Sequence, residues 1–414
     1  MSLTSSLNSS VPSPRNALRE PQPGGKRWLW SGAICALACP LWLSLDARQS
    51  DAQAPVSPAI STAPSAAPSG APIKLSPARR VFSADLDRDG SDELLIAHNT
   101  RLEAWRWSGA TWEKLWSTKG EGVAQMTLAD PIVNELWVAW GMGRGKMTAP
   151  ITLSAIDPLT GEQRVVWTYK GGRSQTVSMQ WVEVDQDPEP ELMIAHFVNK
   201  YHTRRVILDQ LTQAQPTESA TAPLRMGTSW LIADLDGAPG LEEVVGRVYG
   251  DAKGEYGDLS TRAFKRSLRA VKLDQVSPTE RGVKYIAHLP NISEGLLFSD
   301  GWVAAYGKKA KAKLKRLRWS NGRAIVEQLA SSPQEFTFFS FWSRYDPETK
   351  AHRLFAQGNL GVNLITPRAQ GPWETQQVLK TPPIVNAAVG YAGGIWWAFT
   401  PHEDGAKAHR LTLP

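Results

Sequence analysis

Cysteine is almost missing from this chain of 414 residues: Cys35 and Cys39 are the only two, and both sit in an apolar stretch near the N-terminus. No disulfide framework can therefore hold the region after residue 40. A region of that length buries enough apolar surface without one, so the lack does not argue against export. Histidine is scarce too. His98, His196, His202, His288, His352, His402 and His409 show neither His-x-x-x-His nor His-Glu-x-x-His spacing, which removes the helical zinc-hydrolase patterns. Gly-x-Ser-x-Gly elbows, Walker loops and dinucleotide fingerprints are absent as well. No helical apolar stripe runs beyond two or three turns. Net charge is modest, +6 from 46 basic and 40 acidic side chains, and weakly favours anionic surfaces.

What is present in excess is tryptophan, 18 residues against 8 Tyr and 10 Phe. Trp suits strand positions at the boundary of core and water.

Residues 1–27 are polar and Ser/Pro-rich, ending in Lys26–Arg27. The next segment, 28–45 (WLWSGAICALACPLWLSL), carries no charge and sits near the lower length limit for a bilayer span. The basic flank before it and Asp46 after it predict a cytoplasmic N-terminus. Two readings stand: an uncleaved signal anchor, or a signal peptide cleaved after the small-x-small pattern Ala36-Leu37-Ala38. A lipoprotein signal ending at Cys39 fits the residues poorly. Residues 46–77 form a Pro/Ala/Ser linker, extended and without a core, that predicts a disordered tether.

From residue 78 one phrase recurs: an apolar strand, an acidic turn, then Glu and a second apolar strand. Four copies are clear, FSADLDRDGSDELLIAH (82–98), TLADPIVNELWVAWG (127–141), WVEVDQDPEPELMIAHF (181–197) and WLIADLDGAPGLEEVVGRV (230–248). A second phrase is a hairpin, two strand-like runs around a Gly, Asn or Pro turn. It occurs at 101–116, 154–167, 315–329 and 361–379. Anchors on the second strand, Leu94, Leu136, Leu192, Val244, Trp302, Leu354 and Trp396, lie 42, 56, 52, 58, 52 and 42 residues apart. Such periods indicate propeller blades. The expectation is an all-β fold: about seven blades of four antiparallel strands over 78–414, preceded by one N-terminal hydrophobic helix and the tether. The chain ends one strand short of a full last blade, and Ile73-Lys74-Leu75 is expected to supply that outer strand.

The residues DLDRDGSDELLIA (85–97) resemble an FG-GAP/VCBS repeat, the integrin-alpha-like repeat of a β-propeller family with Asp-x-Asp-x-Asp-Gly loops between the first two strands of a blade. The resemblance implies a propeller, calcium in the best loops, and adhesion, ligand-binding or carbohydrate-related roles. The residues agree. Asp85, Asp87 and Asp89 alternate, Gly90 permits a sharp turn, and Glu93 returns to complete a cage of hard oxygens for a structural Ca2+. Asp92 is a neighbour that could substitute or stay in solvent. The loops at 185–191 and 234–242 depart from the pattern. The first reads as two residues shorter with Pro at the turn, and the second has Ala238 where a third carboxylate belongs. Both suit plain turns capped by Asp.

The run 307–319 places Lys308, Lys309, Lys311, Lys313, Lys315, Arg316 and Arg318 close together, with a bulge expected where the arginines shift phase. It reads either as a solvated outer strand guarded by lysines or as a docking patch for an anionic partner. An export signal, and the lack of aromatic-plus-basic motifs, argue against nucleic acid. His98 and His196 occupy equivalent repeat positions, which points to packing. The Trp residues at repeat positions suit packing between blades or, at hairpin tips, stacking on sugars. The sequence therefore predicts a binding or scaffold protein rather than an enzyme, outside the cytoplasm in the periplasm or at the cell surface, displaying a propeller to a protein or glycan. It would be membrane-anchored through 28–45, or secreted if that segment is cleaved. The rival expectation is a calcium-dependent polysaccharide lyase or glycosidase on the same scaffold.

Overall fold

A computed structural model of the chain describes residues 72–414 apart from 130–132, 142–149, 171–175, 185–188, 199–201, 214, 221–223, 226, 236–240, 252–253, 266–268, 280–282, 301–312, 321–322, 332–337, 359–360 and 381–386. The expected signal segment, nearly all of the tether, and Trp302, Lys308, Lys309 and Lys311 lie outside the described residues. Among the described residues no helix is long and apolar enough to cross a membrane.

The alternating and β-branched runs form strands, and the strands group into antiparallel sheets of four. Six sheets use consecutive strands, where about seven blades were expected, and the remaining sheet is composite. Numbered along the chain, sheet 1 contains Arg80–Ala84, Glu93–Ala97, Arg101–Trp107 and Trp112–Lys119. Sheet 2 contains Val123–Ala129, Leu136–Gly141, Ile151–Ile156 and Gln163–Tyr169. Sheet 3 contains Thr176–Val182, Glu191–Phe197, His202–Asp209 and Thr217–Ala220, with Leu224–Arg225 added beside its third strand. Sheet 4 contains Gly227–Ala233, Leu241–Asp251, Gly254–Lys265 and Arg269–Thr279. Sheet 5 contains Val283–His288, Leu296–Asp300, Lys313–Ser320 and Arg323–Ser331. Sheet 6 contains Phe338–Asp346, Ala351–Gly358, Gly361–Thr366 and Glu374–Lys380.

Sheet 7 contains Ala388–Ala392, Ile395–Thr400 and Lys407–Leu411, and its outer strand is Ile73–Lys74. Ile73 pairs with Ala408 and Lys74 with Lys407. The outer strand expected from 73–75 is therefore in place, because the last run of chain leaves an open edge that a short N-terminal segment can pair. The fold is an all-β propeller of four-stranded antiparallel blades.

Apolar clusters lie between neighbouring sheets. Met126, Trp137 and Leu153 of sheet 2 pack on Met179, Trp181 and Leu192 of sheet 3. Phe82, Leu95 and Trp116 of sheet 1 meet Val123, Val138 and Trp140 of sheet 2. Trp342 and Phe355 of sheet 6 meet Val389 and Trp396 of sheet 7, which in turn packs through Trp397 and Phe399 on Trp107 and Trp112 of sheet 1. Buried Trp thus serves packing between sheets, and among the described residues no Trp stands among the exposed large hydrophobics. Sugar stacking on exposed Trp is not what these positions provide.

Each sheet is a meander, so its turns alternate between two ends. First-to-second and third-to-fourth turns emerge at one end, here the front. Second-to-third turns and the links to the next sheet emerge at the back.

Candidate functional site

The acidic loop of sheet 1 is a front turn joining Arg80–Ala84 to Glu93–Ala97. Gly90 adopts φ +87°, a left-handed conformation that side chains disfavour, and this lets the loop double back. Asp85 knits it: its carboxylate accepts from Asp89 N–H at 3.0 Å and Gly90 N–H at 2.9 Å. Asp89 in turn accepts from Ser91 N–H at 2.7 Å. One carboxylate oxygen each of Asp85, Asp87 and Asp89 lies within 4.8 Å of the others. Burial pushes Asp85 up to about 6, helped by the charges of Asp92 and Asp89, against the amide bonds from Gly90 and Asp89. A cation would relieve that crowding, and three hard-oxygen donors in reach of one point fit calcium.

Glu93 does a different job from the one expected. It is buried, and one oxygen accepts from Leu86 N–H at 2.8 Å while the other accepts from Arg106 Nε at 2.8 Å. Arg106 also grips Asp87. Burial pushes Glu93 up to about 7, opposed by Leu86 N–H and by Arg106.

The same glutamate recurs. Glu191 accepts from Val184 N–H and Glu242 from Leu235 N–H, each at 2.7 Å and each seven residues back. The repeated Glu is therefore a staple that closes the first hairpin of a sheet by satisfying a loop amide. The spacing was visible in the sequence, but a ligand cage drew on the same residue.

Strand register corrects the reading of the second acidic loop. Ala84 pairs with Glu93, Val182 with Glu191 and Ala233 with Glu242. All three loops span eight residues, and Glu183 takes the place of Asp85. The loop is not shorter; its first acid is a glutamate that an Asp-only pattern passes over. Asp185, Asp187, Asp236 and Ala238 fall outside the described residues.

Asp92 is neither a spare ligand nor solvated. Its carboxylate accepts from Tyr391 N–H at 2.8 Å, and its own N–H donates to Tyr391 O at 2.7 Å, so loop 85–92 is strapped to sheet 7. Burial raises its pKa, with Arg344 at 3.7 Å opposing. Arg344, from sheet 6, also donates to Ser83 O and Oγ at 2.9 Å and to Val389 O at 3.2 Å. One guanidinium ties sheets 6, 7 and 1 together.

The basic run is placed differently from expectation. Lys313–Ser320 is the third strand of sheet 5, covered by Arg323–Ser331, and not the edge. A register shift does occur, and Leu329 of the partner strand is the extra residue. Arg316 and Arg318 both pair with Glu327, while Lys315 lies 6.0 Å over the Phe298 ring. The two arginines are thus already neutralised in part, which weakens this run as a docking patch.

His196 is fully buried, 4.5 Å from the Tyr169 ring, and burial lowers it to about 4. His98 contacts Glu103 at 3.2 Å, and burial lowers its pKa as well. Packing, as the repeat position implied, accounts for both.

No family model matches this chain, and no curated protein matches it. Among solved structures it is similar to a chain in the crystal structure of BBS1N in complex with ARL6DN, soaked with lead. That match has 12% identity and a TM-score of 0.47, covering 82% of this chain and 93% of that one. A chain of the mitotic checkpoint complex crystal structure aligns at 12% identity and a TM-score of 0.49, covering 87% of this chain and all of that one. These values say nothing about activity or partners, and the propeller is read from the sheets themselves.

Proposed function

We propose that this chain is a non-enzymatic binding or scaffold protein of the FG-GAP/VCBS type. In this reading sheet 7 acts as the seventh blade of a closed ring, outside the cytoplasm, tethered through residues 28–45. The observation that carries the reading is the ring itself: apolar clusters join sheet to sheet, and strained or titratable groups are absorbed by packing. Asp92, Glu93 and His196 each have a structural partner. Rigid rings with loops at two ends suit display of a surface.

A glycan array and a reducing-sugar assay on the full chain test this. Saturable binding without turnover supports it, and turnover lost on changing one surface carboxylate establishes the lyase or glycosidase reading instead. Reporter fusions after residues 27 and 60 test location; an active cytoplasmic reporter after residue 60 sinks it.

Asp85, Asp87 and Asp89 are the residues that would hold calcium, and its role there is to pin the loop and, through Asp92, the joint with sheet 7. Thermal unfolding with calcium and with chelator is expected to separate in the natural chain and to coincide in Asp87→Ala. Coincident curves for both proteins remove the metal.

A further inference from the structure

In four sheets the outer strand ends on a lysine, or meets one just past it, at the same end of the propeller. At the front the charges are mixed: Glu113 stands next to Lys114 in sheet 1, Glu162 two residues from Arg164 in sheet 2, and Glu374 pairs with Arg368 in sheet 6. At the back the strands finish on lysine: Lys380 in sheet 6, Lys74 in sheet 7, Lys119 in sheet 1 and Lys170 one residue past the strand in sheet 2. All four lysines are exposed, and these are four successive sheets around the ring. Lys74 stands 3.7 Å from Asp404, whereas Lys119, Lys170 and Lys380 have no ion pair among the described residues. Arg101, half exposed, stands at the same end but pairs with Glu103 at 3.2 Å.

We propose that this arc of lysines on the back of the propeller binds an acidic polysaccharide, with the chain lying across sheets 6, 7, 1 and 2. The inference rests on the extracytoplasmic binding role and names its ligand class. Two observations support it. Repetition of one cation per sheet at one strand position matches a ligand with repeating charge. Lysine, a hydrated point charge without a bidentate fork, suits dispersed carboxylates or sulfates.

The test uses the full chain in mild detergent, with alginate and heparin as probes and neutral dextran as reference, between about 50 and 200 mM salt. Binding to at least one acidic probe, weakening steeply with salt, is expected. Lys119→Glu/Lys170→Glu should weaken it roughly tenfold and flatten the salt dependence. The front-end double Lys350→Glu/Arg368→Glu makes the same change in net charge and should leave binding intact. Circular dichroism melts confirm that both variants fold, and Lys380→Glu alone gives a milder variant should the first not fold.

No binding to either acidic probe at low salt overturns the proposal, as does equal weakening by both doubles. Binding to vesicles containing phosphatidylglycerol, to duplex DNA or to a second copy of the chain, with none to the polysaccharides, also overturns it. Turnover or a cytoplasmic location would instead overturn the underlying role, so the two failures are read from different measurements.

Discussion

The joint between sheets 7 and 1 and the joint between sheets 3 and 4 meet the same packing demand with different materials. Sheets 7 and 1 meet through aromatic rings. Trp107 and Trp397 centroids lie 4.9 Å apart, Trp112 meets Trp397 edge-on at 5.6 Å, and Phe399 meets Trp112 at 5.2 Å. The two-way bond between Asp92 and Tyr391 is added on top. Sheets 3 and 4 meet through a smaller aliphatic set around Trp230, joined by an ion pair, Arg205 to Glu243 at 2.8 Å, with both side chains about 1% exposed. Gln180 also reaches across, giving its amide to Ile232 O at 3.0 Å.

The difference follows from where the chain is continuous. Sheet 4 begins at Gly227, seven residues after Ala220 of sheet 3, and a buried ion pair there adds little stability over an apolar pair. Sheet 7 is completed only by a two-residue strand from the other end of the chain. Three further backbone bonds extend that closure, Leu75 N–H to Ala406 O, Ala406 N–H to Ser76 O and Ala78 N–H to His402 O, each at 2.8 Å, and dense aromatic packing is added to them.

Breaking the aromatic joint should cost most. Trp397→Ala is expected to lose roughly 3–5 kcal/mol by denaturant unfolding, more than an aliphatic truncation in the sheet 3–4 cluster, such as Val245→Ala. Equal losses would erase the contrast. Next, Glu243→Ala should cost about 3 kcal/mol by removing a buried counter-charge, while the double change Arg205→Met/Glu243→Leu should recover most of it; failure to recover would make the pair a net stabiliser.

Asp92→Ala should cost about 1–2 kcal/mol and raise hydrogen exchange at Tyr391 without touching sheet 3. The smallest effect concerns the joint of sheets 2 and 3. His196, lowered to about 4 by burial, is held neutral when folded. The unfolded chain takes up its proton near 6.5. Stability from this group is complete above that pH and drains as pH falls from 6.5 toward 4, by about 1 kcal/mol at pH 5.5. His196→Phe should flatten that part of the pH–stability curve, and an unchanged slope would refute the assignment.

Much of the fold could be read from the chain before any coordinates. Leu94, Leu136, Leu192, Leu354 and Trp396 all fall on the second strand of a sheet, because second strands are buried on both faces and so keep continuous apolar runs. The four hairpin phrases became the third and fourth strands of sheets 1, 2, 5 and 6. Polar side chains were harder to read. Glu93 looked like a ligand because composition and spacing cannot say which way a carboxylate turns, and its backbone acceptor role appears only once Leu86 N–H is placed. Asp92 looked like a substitute ligand or a solvated acid because its partner, Tyr391, is 299 residues away. The Lys/Arg run looked like an edge, since nothing local marks Arg323–Ser331 as the strand that covers it.

The outer strand Ile73–Lys74 has a mechanical consequence. Any pull on the chain ahead of residue 73 reaches sheet 7 before any other part of the propeller, through the pairs at Ile73 and Lys74 and then the bonds of Leu75 and Ser76 to Ala406. Gly405 sits so tightly under Leu75 O that an added Cβ would come within 2.5 Å of it, so the contact has no slack to absorb strain. Under load the ring would part at this strand first, as a buckle opens before the belt tears, leaving the six sheets made from consecutive strands still folded. Single-molecule extension from the N-terminal side should show a small early rupture ahead of the main unfolding events.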